Sequence, residues 1–464
     1  MARVVRVTQG LVLAGGGTKA SFEVGALLYL TRYGDYAPGV IAGTSAGSMI
    51  AATLAQARGG AQAKQLARVV QRNVLAVTDM NVVFSKQAWL QQIEGTPFAA
   101  VVDEILAQGS RPGLPGDPGE AEAAPARGRP GAARKRVLVG LSTAIGHAPT
   151  VIKAGRSFLN DSNALLSMDP LGESLRGERD GGVAAVDPER IAQPGVHLRL
   201  TVAALGDGVA RYVTETGEIV EADSMTPRPT AERPGVVEGV LASSSVPLVF
   251  PPRRLGDDVY CDGGVVQTAP LEAAVRAGAG DVTALMASPL HKPRDDVDYA
   301  NASLMAIYSR AVAGVAQLEA TRANLRYPLA DGAALRVIAP SVEIVGTFEV
   351  SPGLIAIAID YGWLRAAEVT AGLTQEDVEH FGALSDTIAI QRARAWKLEE
   401  QLLHEGHSDA VEQTLAEVRQ SVVDAAAAWR SGGFDAPDGL GQFGATWEYH
   451  RAAIPEELRS SGTL

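Results

Sequence analysis

The chain has 464 residues, of which 46% are hydrophobic and 20% charged, so it is long enough for a large buried core and does not have the composition of a disordered chain. Its formal net charge of −12 argues against a nucleic-acid-binding surface and against electrostatic attachment to anionic lipid. The single Cys261, the lack of an apolar signal segment and the lack of about 18 consecutive apolar residues lead us to expect a cytoplasmic protein with at most peripheral membrane contact.

The beginning of the chain repeats one pattern twice: an apolar run, a glycine-rich turn and a helical stretch. Residues 10–14 predict a buried strand, and residues 21–33 predict a helix that ends at Gly34. Residues 40–43 predict a second strand, which is followed by a helix over residues 45–58. This repetition is typical of parallel strands whose loops share one edge of a sheet. The fold class is therefore α/β, with a mostly parallel central sheet flanked by helices.

The middle of the chain mixes regular patterns with two stretches of a different composition. Residues 61–107 are mostly helical in pattern, and residues 236–242 predict a short helix. Residues 109–136 and 172–195 are rich in glycine and charged residues, so we expect flexible insertions there. Further strands are predicted at residues 137–142, 197–204, 210–214, 259–262, 282–287 and 335–339.

The last third of the chain is mostly helical in pattern. Residues 300–325 predict a long amphipathic helix, and the sequence after Pro352 predicts further helices. We expect the apolar stripe of the first of these helices to face the core. The stripe consists of Leu304, Ile307, Tyr308, Ala311, Val312 and Val315.

A G-x-S-x-G motif at residues 43–47 lies where the second predicted strand meets its helix. A serine at such a bend is lifted clear of its backbone, beside the first free N–H groups of the helix. That geometry suits Ser45 as a nucleophile. The alternative is a glycine-rich turn that only lets strand and helix pack closely.

The loop at residues 15–20, Gly-Gly-Gly-Thr-Lys-Ala, has three interpretations. As G-x-G-x-x-A it fits the loose dinucleotide fingerprint, which requires an acidic residue at the end of the next strand. Thr44 and Ser45 occupy that place, which disfavours a nucleotide. Three glycines also offer unhindered backbone N–H groups, as a developing oxyanion requires. A purely structural loop is the third interpretation.

The strand predicted at residues 259–262 ends in Asp262-Gly263-Gly264. These residues fit an ordinary Asx turn, because Asp-Gly is a common turn signal. They also fit a reactive carboxylate at a strand's carboxyl edge, with glycines that leave space around it.

Taken together, four motifs in this order resemble those of the patatin-like phospholipase family. The resemblance covers roughly the first 290 residues, and it implies a three-layer α/β/α catalytic domain over residues 1–290. We expect residues 291–464 to form a mostly helical region that packs on this core. The motifs lie at residues 15–20, 43–47, 242–251 and 262–264.

By similarity, Ser45 and Asp262 form a catalytic Ser-Asp dyad. The resemblance also implies an oxyanion hole, to which we add the N–H group of the residue after the nucleophile. At Ala20 the family usually has glycine, so a methyl group is expected to narrow the loop slightly. The predicted oxyanion hole comprises Gly15, Gly16, Gly17, Lys19 and Ala46.

These roles predict hydrolysis of lipid acyl esters, of the phospholipase or lysophospholipase A type, through an acyl-serine. The partner is a lipid or a membrane-interface substrate, and we expect no cofactor and no metal. An exposed aspartate has a pKa of about 3.9, too low for this base, so Asp262 must be partly desolvated.

Three alternatives remain open at this point. His291 follows a predicted strand and could complete a Ser-Asp-His triad, in the chain order of α/β-hydrolases. The same serine could transfer its acyl group to an acceptor other than water. The chain could also bind a lipid or a nucleotide without hydrolysis.

Overall fold

The computed structural model describes residues 8–91, 163–179, 182–229, 233–291, 297–302, 307, 310–437 and 440. The insertion expected at residues 109–136 and the strand expected at 137–142 lie outside these ranges. The strands are β1 (Gly10–Leu13), β2 (Val40–Thr44), β3 (Ser85–Lys86), β4 (Leu166–Ser167), β5 (His197–Ala204), β6 (Ala210–Thr214), β7 (Ile219–Val220), β8 (Arg253–Leu255), β9 (Asp258–Asp262), β10 (Val282–Leu285) and β11 (Leu335–Ile338).

A mixed sheet forms the centre of the described structure, in the order β11-β10-β1-β2-β5-β6-β7. The five strands from β11 to β5 run parallel, whereas β6 and β9 pair with β5 in the antiparallel sense. The strand pair β3 and β4 forms a separate small sheet. The predicted α/β class with a mostly parallel central sheet is confirmed.

Both faces of the sheet are covered, as the alternation along β1 shows. Leu11 and Leu13 lie in the larger hydrophobic cluster, which includes residues from the helices Ser21–Thr31, Ala46–Leu54, Gly60–Ala76 and Pro352–Thr370. Val12 and Ala14 lie in a second cluster, together with residues of the helix Leu271–Arg276. Because successive side chains of a strand point to opposite faces, the sheet is the middle of three layers.

The helices lie before, between and after these strands, and the chain beyond β11 is mostly helical, as predicted. None of the described helices has the length and apolarity needed to cross a bilayer. They are α1 (Ser21–Thr31), α2 (Ala46–Leu54), α3 (Gly60–Ala76), α4 (Ala88–Gln91), α5 (Asp169–Arg176), α6 (Pro188–Ile191), α7 (Val236–Ser243), α8 (Leu271–Arg276), α9 (Gln317–Asn324), α10 (Pro352–Thr370), α11 (Gln375–Glu405) and α12 (Asp409–Arg430).

Helices α1 and α10 cross at very close range, and two glycines make this possible. A Cβ atom at Gly25 would lie 1.7 Å from the carbonyl oxygen of Ile359, and one at Gly362 would lie 1.8 Å from that of Phe22. No side chain fits such a gap. The first helix of the C-terminal region therefore lies directly on the helix that follows the glycine loop.

Residues 172–195, for which we expected a flexible insertion, include two short helical segments among the residues that the structure describes. They contain most of α5 and all of α6, whose Leu175 and Ile191 are buried. Glycine and charged residues dominate the composition of this range. The composition therefore did not indicate that a few buried apolar residues pack the two short helices on the core.

The helix expected over residues 300–325 also differs. Arg310–Ala316 are π-helical, and the chain continues as the α-helix α9. Ile307, Val312 and Val315 are 42%, 47% and 51% exposed, so the prediction of a core-facing stripe is wrong for them. A π-helix has more residues per turn, which changes the faces that i, i+3 and i+4 residues share.

The helix crossing yields a test of how the C-terminal region is held. We expect Gly362→Ala to lower the free energy of unfolding by about 2 kcal/mol or more, because the new methyl group meets backbone that cannot yield. Urea unfolding measures this change.

Gly172→Ala in α5 is the matched control, since its Cβ atom would meet only the side chains of Leu241 and Arg176, at 3.2 Å. We expect the control to stay within about 1 kcal/mol of the wild type. Equal losses in both variants would contradict the close crossing.

Candidate active site

Ser45 lies on a tight bend between β2 and α2, with φ 54° and ψ −126°. This left-handed conformation costs a non-glycine residue about 1–3 kcal/mol. The glycines of the motif allow the bend, because a Cβ atom at Gly43 would lie 2.5 Å from the Gly47 oxygen, and one at Gly47 would lie 2.5 Å from the Leu13 oxygen. Ser45 is the residue of the motif that adopts the strained positive φ.

Strand register brings Asp262 to the same edge of the sheet as Ser45. Thr44 of β2 is the register partner of Thr201 in β5, and the next residue of β5, Val202, is the partner of Asp262 in β9. The Ser45 hydroxyl lies close enough to the Asp262 carboxyl group to lower its pKa, and the buried Oδ2 of Asp262 accepts no hydrogen bond within the described residues. Two side chains that are far apart in the sequence are thus in contact.

The carboxyl group of Asp262 is almost completely buried, with 5% of the residue exposed. Its Oδ1 accepts the N–H of Gly264 at 2.6 Å. Burial raises the pKa of Asp262 to about 6, although the nearby Ser45 hydroxyl and the Gly264 N–H act in the opposite direction. The partial desolvation that the sequence analysis required is therefore present.

The two glycines after Asp262 have separate functions. A Cβ atom at Gly263 would lie 2.3 Å from the carbonyl oxygen of Thr201, so the turn can pack against β5 only with glycine there. A Cβ atom at Gly264 would lie 2.9 Å from Oδ1 of Asp262, the oxygen that accepts the Gly264 N–H.

A serine segment at the end of α7 connects the two candidate catalytic residues. The Ser45 N–H donates to the Ser243 hydroxyl at 3.0 Å, and the Asp262 N–H donates to the Ser245 carbonyl at 2.9 Å. Both serines are fully buried. Both serines belong to the 242–251 motif, whose sequence does not indicate which residues they contact.

The glycine loop lies directly against Ser45. A Cβ atom at Gly15 would lie 3.2 Å from the Ser45 Cβ atom. The Gly15 N–H donates to the Thr268 carbonyl at 3.2 Å, so this N–H is already engaged. Gly15 therefore gives the loop its close approach to Ser45, while its own donor points elsewhere.

The other predicted oxyanion donors are differently placed. The N–H groups of Gly16, Gly17 and Ala46 make no hydrogen bond within the described chain. Gly17 has a φ of 57°, and its Cβ atom would lie 2.2 Å from the Thr347 oxygen, so the loop requires glycine there. Gly17 and Ala46 line the same cleft as Ser45.

The Lys19 side chain does not line the space in front of Ser45. Its Nζ forms an ion pair with Glu343 Oε1 at 3.0 Å, and both side chains are largely buried. The Thr18 N–H donates to the Thr347 carbonyl at 2.9 Å. The segment after β11 therefore holds the glycine loop at two adjacent residues, which no sequence motif indicated.

Ala20, the departure from the family's usual glycine, adopts an ordinary helical conformation with φ −62°. Alanine fits this backbone without strain. Glu23, one turn further, is fully buried, and its Oε1 accepts the Ala14 N–H at 2.7 Å. Burial raises the pKa of Glu23 well above its usual value, which favours a neutral carboxyl group that fixes the beginning of the glycine loop.

An apolar cleft begins at Ser45 and encloses about 1110 Å³ of empty space, open solvent at its mouth included. Phe84 and Phe250 pack against each other in its wall, with ring centroids 4.6 Å apart. Thr347 and Phe348 contribute to the lining from the segment after β11. Such a cleft can take up a hydrocarbon chain whose ester lies at the serine. Further apolar lining residues are Met49, Val74, Val77, Met168, Leu171 and Val246.

His291, the third member of the alternative triad, contacts Arg322. Its Nδ1 is 3.3 Å from Nη2 of Arg322 in α9, and the residue is exposed. Within the described residues, the hydrogen bonds of Ser45 and Asp262 involve no histidine. The geometry therefore favours a pair over a triad.

Comparisons with known proteins identify a matching family and a similar solved structure. The model of the family described as patatin-like phospholipase matches residues 11–275, which include the glycine loop, Ser45 and Asp262. No curated protein matches the chain in sequence. Among solved structures, the chain is similar to VipD from Legionella pneumophila, with 18% identity over 90% of this chain and 80% of that chain and a TM-score of 0.35.

The bend at Ser45 is tested by the relative stabilities of an alanine and a glycine variant, which we expect to be the reverse of those in an ordinary helix. Both Ser45→Ala and Ser45→Gly remove the hydroxyl, but only glycine relieves the left-handed strain. We expect Ser45→Gly to be about 1 kcal/mol more stable to urea than Ser45→Ala. In an ordinary helix glycine is less stable than alanine by about the same amount. If Ser45→Ala were the more stable variant, the bend would be wrong.

Proposed function

Because the chain belongs to the patatin-like phospholipase family and is therefore a lipid ester hydrolase, we propose that it cleaves phospholipid or lysophospholipid acyl esters through Ser45 and Asp262. The observation that carries this proposal is the position of the Ser45 hydroxyl beside the buried carboxyl group of Asp262, whose Oδ2 accepts no hydrogen bond within the described residues. The apolar cleft at the same serine supports a lipid substrate.

The first half of the reaction forms an acyl-enzyme. Asp262 accepts the hydroxyl proton while Ser45 Oγ attacks the ester carbonyl carbon, and the carbonyl oxygen becomes an oxyanion. When the tetrahedral intermediate collapses, the bond to the leaving alcohol breaks and the alcohol takes up the proton from Asp262. The acyl group remains on Ser45.

The second half repeats these steps with water. Asp262 takes a proton from the attacking water, and the second tetrahedral intermediate releases a fatty acid as Ser45 regains its proton. The base must be ionised before each attack. With a pKa of about 6, most Asp262 is ionised at neutral pH, and it is a stronger base than an exposed aspartate with a pKa of about 3.9.

We assign the oxyanion hole to the N–H groups of Gly16, Gly17 and Ala46. They make no hydrogen bond within the described chain, and Ala46 is the first residue of α2, where the helix dipole favours negative charge. Gly15 and Lys19 then act as positioning residues, through close approach to Ser45 and through the ion pair with Glu343.

A reduced, cytoplasmic setting remains part of the proposal. Cys261 is buried and unpaired, and burial raises the pKa of its thiol to about 11, which keeps it protonated and unreactive.

Removal of either candidate catalytic group tests the pair. We expect Ser45→Ala and Asp262→Asn each to lower kcat/KM for a p-nitrophenyl ester by about 10³-fold or more, since neither part of such a unit works alone. Ser45→Ala should also lose covalent labelling by a fluorophosphonate.

Ser244 also lines the cleft and provides the matched control. We expect Ser244→Ala to keep the label, which mass spectrometry locates on Ser45. His291→Ala should keep its turnover. A label on another residue, or a loss in His291→Ala as large as in Ser45→Ala, would contradict the proposed pair.

The burial of Asp262 predicts the pH dependence. The ionised carboxylate is the active form, so we expect kcat/KM to fall as the pH decreases through about 6, the pKa of Asp262, by about tenfold per unit below it. Initial rates with a p-nitrophenyl ester from mildly acidic to neutral pH measure this limb. Circular dichroism at each pH shows that the chain remains folded. A midpoint near the pKa of an exposed aspartate, about 4, would contradict the desolvated base.

A further inference from the structure

Leu248 combines two unfavourable features that no part of the proposed reaction uses. It has a φ of 71°, in the left-handed region, and it is 63% exposed to solvent. A branched side chain at positive φ is strained, whereas glycine is not. Because the side chain is exposed, hydrophobic burial does not offset this strain. Such an outlier, in a segment whose backbone is fixed, points to a function of the side chain.

The surroundings of Leu248 connect it to the cleft. Val246 and Phe250, two residues before and after it, both line the cleft that begins at Ser45. The Leu248 carbonyl accepts the N–H of Leu165 at 3.1 Å, which fixes the backbone of the bend. The Leu248 side chain therefore projects into solvent from the rim of an apolar cleft.

A second set of exposed apolar side chains lies on the Asp262 side of the site. Val265, three residues after Asp262, is 58% exposed. The Gln317 side chain donates to the Gly264 carbonyl and to the Thr268 hydroxyl, both at 2.9 Å, so the helix that contains Gln317 lies beside this turn. Val312 and Val315, which are 47% and 51% exposed, lie in the π-helical segment directly before Gln317.

The segments that carry these four residues contain no charged side chain. Uncharged residues fill positions 239–252, 263–271 and 311–318, in a chain that is 20% charged. Removing such a surface from water costs little, because no charge has to be desolvated. The net charge of −12 also opposes approach to an anionic membrane.

We propose that Leu248, Val265, Val312 and Val315 form an apolar rim that docks the mouth of the cleft onto a zwitterionic lipid surface, such as phosphatidylcholine. The inference rests on the proposed function in that the surface presents the substrate ester. Insertion of the rim makes the apolar cleft continuous with the acyl layer, so a chain can enter without crossing water.

Vesicle binding tests the rim without any need for turnover. Full-length protein with Ser45→Ala, which leaves lipid intact, is sedimented with sucrose-loaded phosphatidylcholine vesicles at physiological salt. We expect binding, and we expect Leu248→Gly added to this background to lower the partition coefficient by about tenfold or more, as for the loss of one buried leucine side chain. Glycine suits the left-handed backbone, so this variant should not lose stability in urea.

Two further variants complete the design. Val312→Ser with Val315→Ser should lower the partition coefficient as well. Met225→Ser is the control, because Met225 is as exposed as Val265 but lies near the Arg199 guanidinium at the other end of β5. We expect the control to bind like the parent.

Several results would overturn the rim. They are no binding to phosphatidylcholine, binding only when phosphatidylglycerol is added, equal binding by parent and rim variants, and an equal loss in Met225→Ser. Each is distinct from a failure of the proposed function, which would appear as unlabelled Ser45 and unhydrolysed soluble ester, whatever the vesicles show.

Discussion

The left-handed backbone of Ser45 is the constraint on which the rest of the site depends. It turns the chain sharply between β2 and α2, so the hydroxyl projects toward Asp262 while the first N–H of the helix lies beside it. The bend requires main chain to approach main chain at Gly43 and Gly47, and the Ser243 hydroxyl holds its N–H. The strained bend thus lowers the local stability and at the same time orients the Ser45 hydroxyl oxygen.

The support of this site extends beyond the part of the chain that the family model covers, which ends at residue 275. The ion pair of Lys19 with Glu343 and the bond from Thr18 to Thr347 connect the glycine loop to the segment after β11. That segment leads into α10, which lies on α1 at the glycine crossing. The helical C-terminal region is therefore part of the framework that positions the glycine loop.

Local patterns predicted the parts of the structure that depend on neighbours in sequence. The strands β1, β2, β5, β6 and β10 follow from apolar runs, and the glycine motifs follow from turns that only glycine permits. The sequence could not show that Lys19 meets Glu343, because that contact depends on tertiary packing. The apolar pattern also predicted wrongly that Val312 and Val315 face the core. A helical stripe has the same pattern whether or not the core covers its apolar face.

The contact of Ser45 and Asp262 beside free backbone donors is the central claim, and a crystal structure of the protein labelled by an alkyl fluorophosphonate tests it most directly. We expect phosphorus on Ser45 Oγ, the phosphonyl oxygen within hydrogen-bond distance of the N–H groups of Gly16, Gly17 or Ala46, and the alkyl arm in the cleft. An adduct whose phosphonyl oxygen points away from the glycine loop, or a carboxyl group of Asp262 turned away from residue 45, would contradict the account.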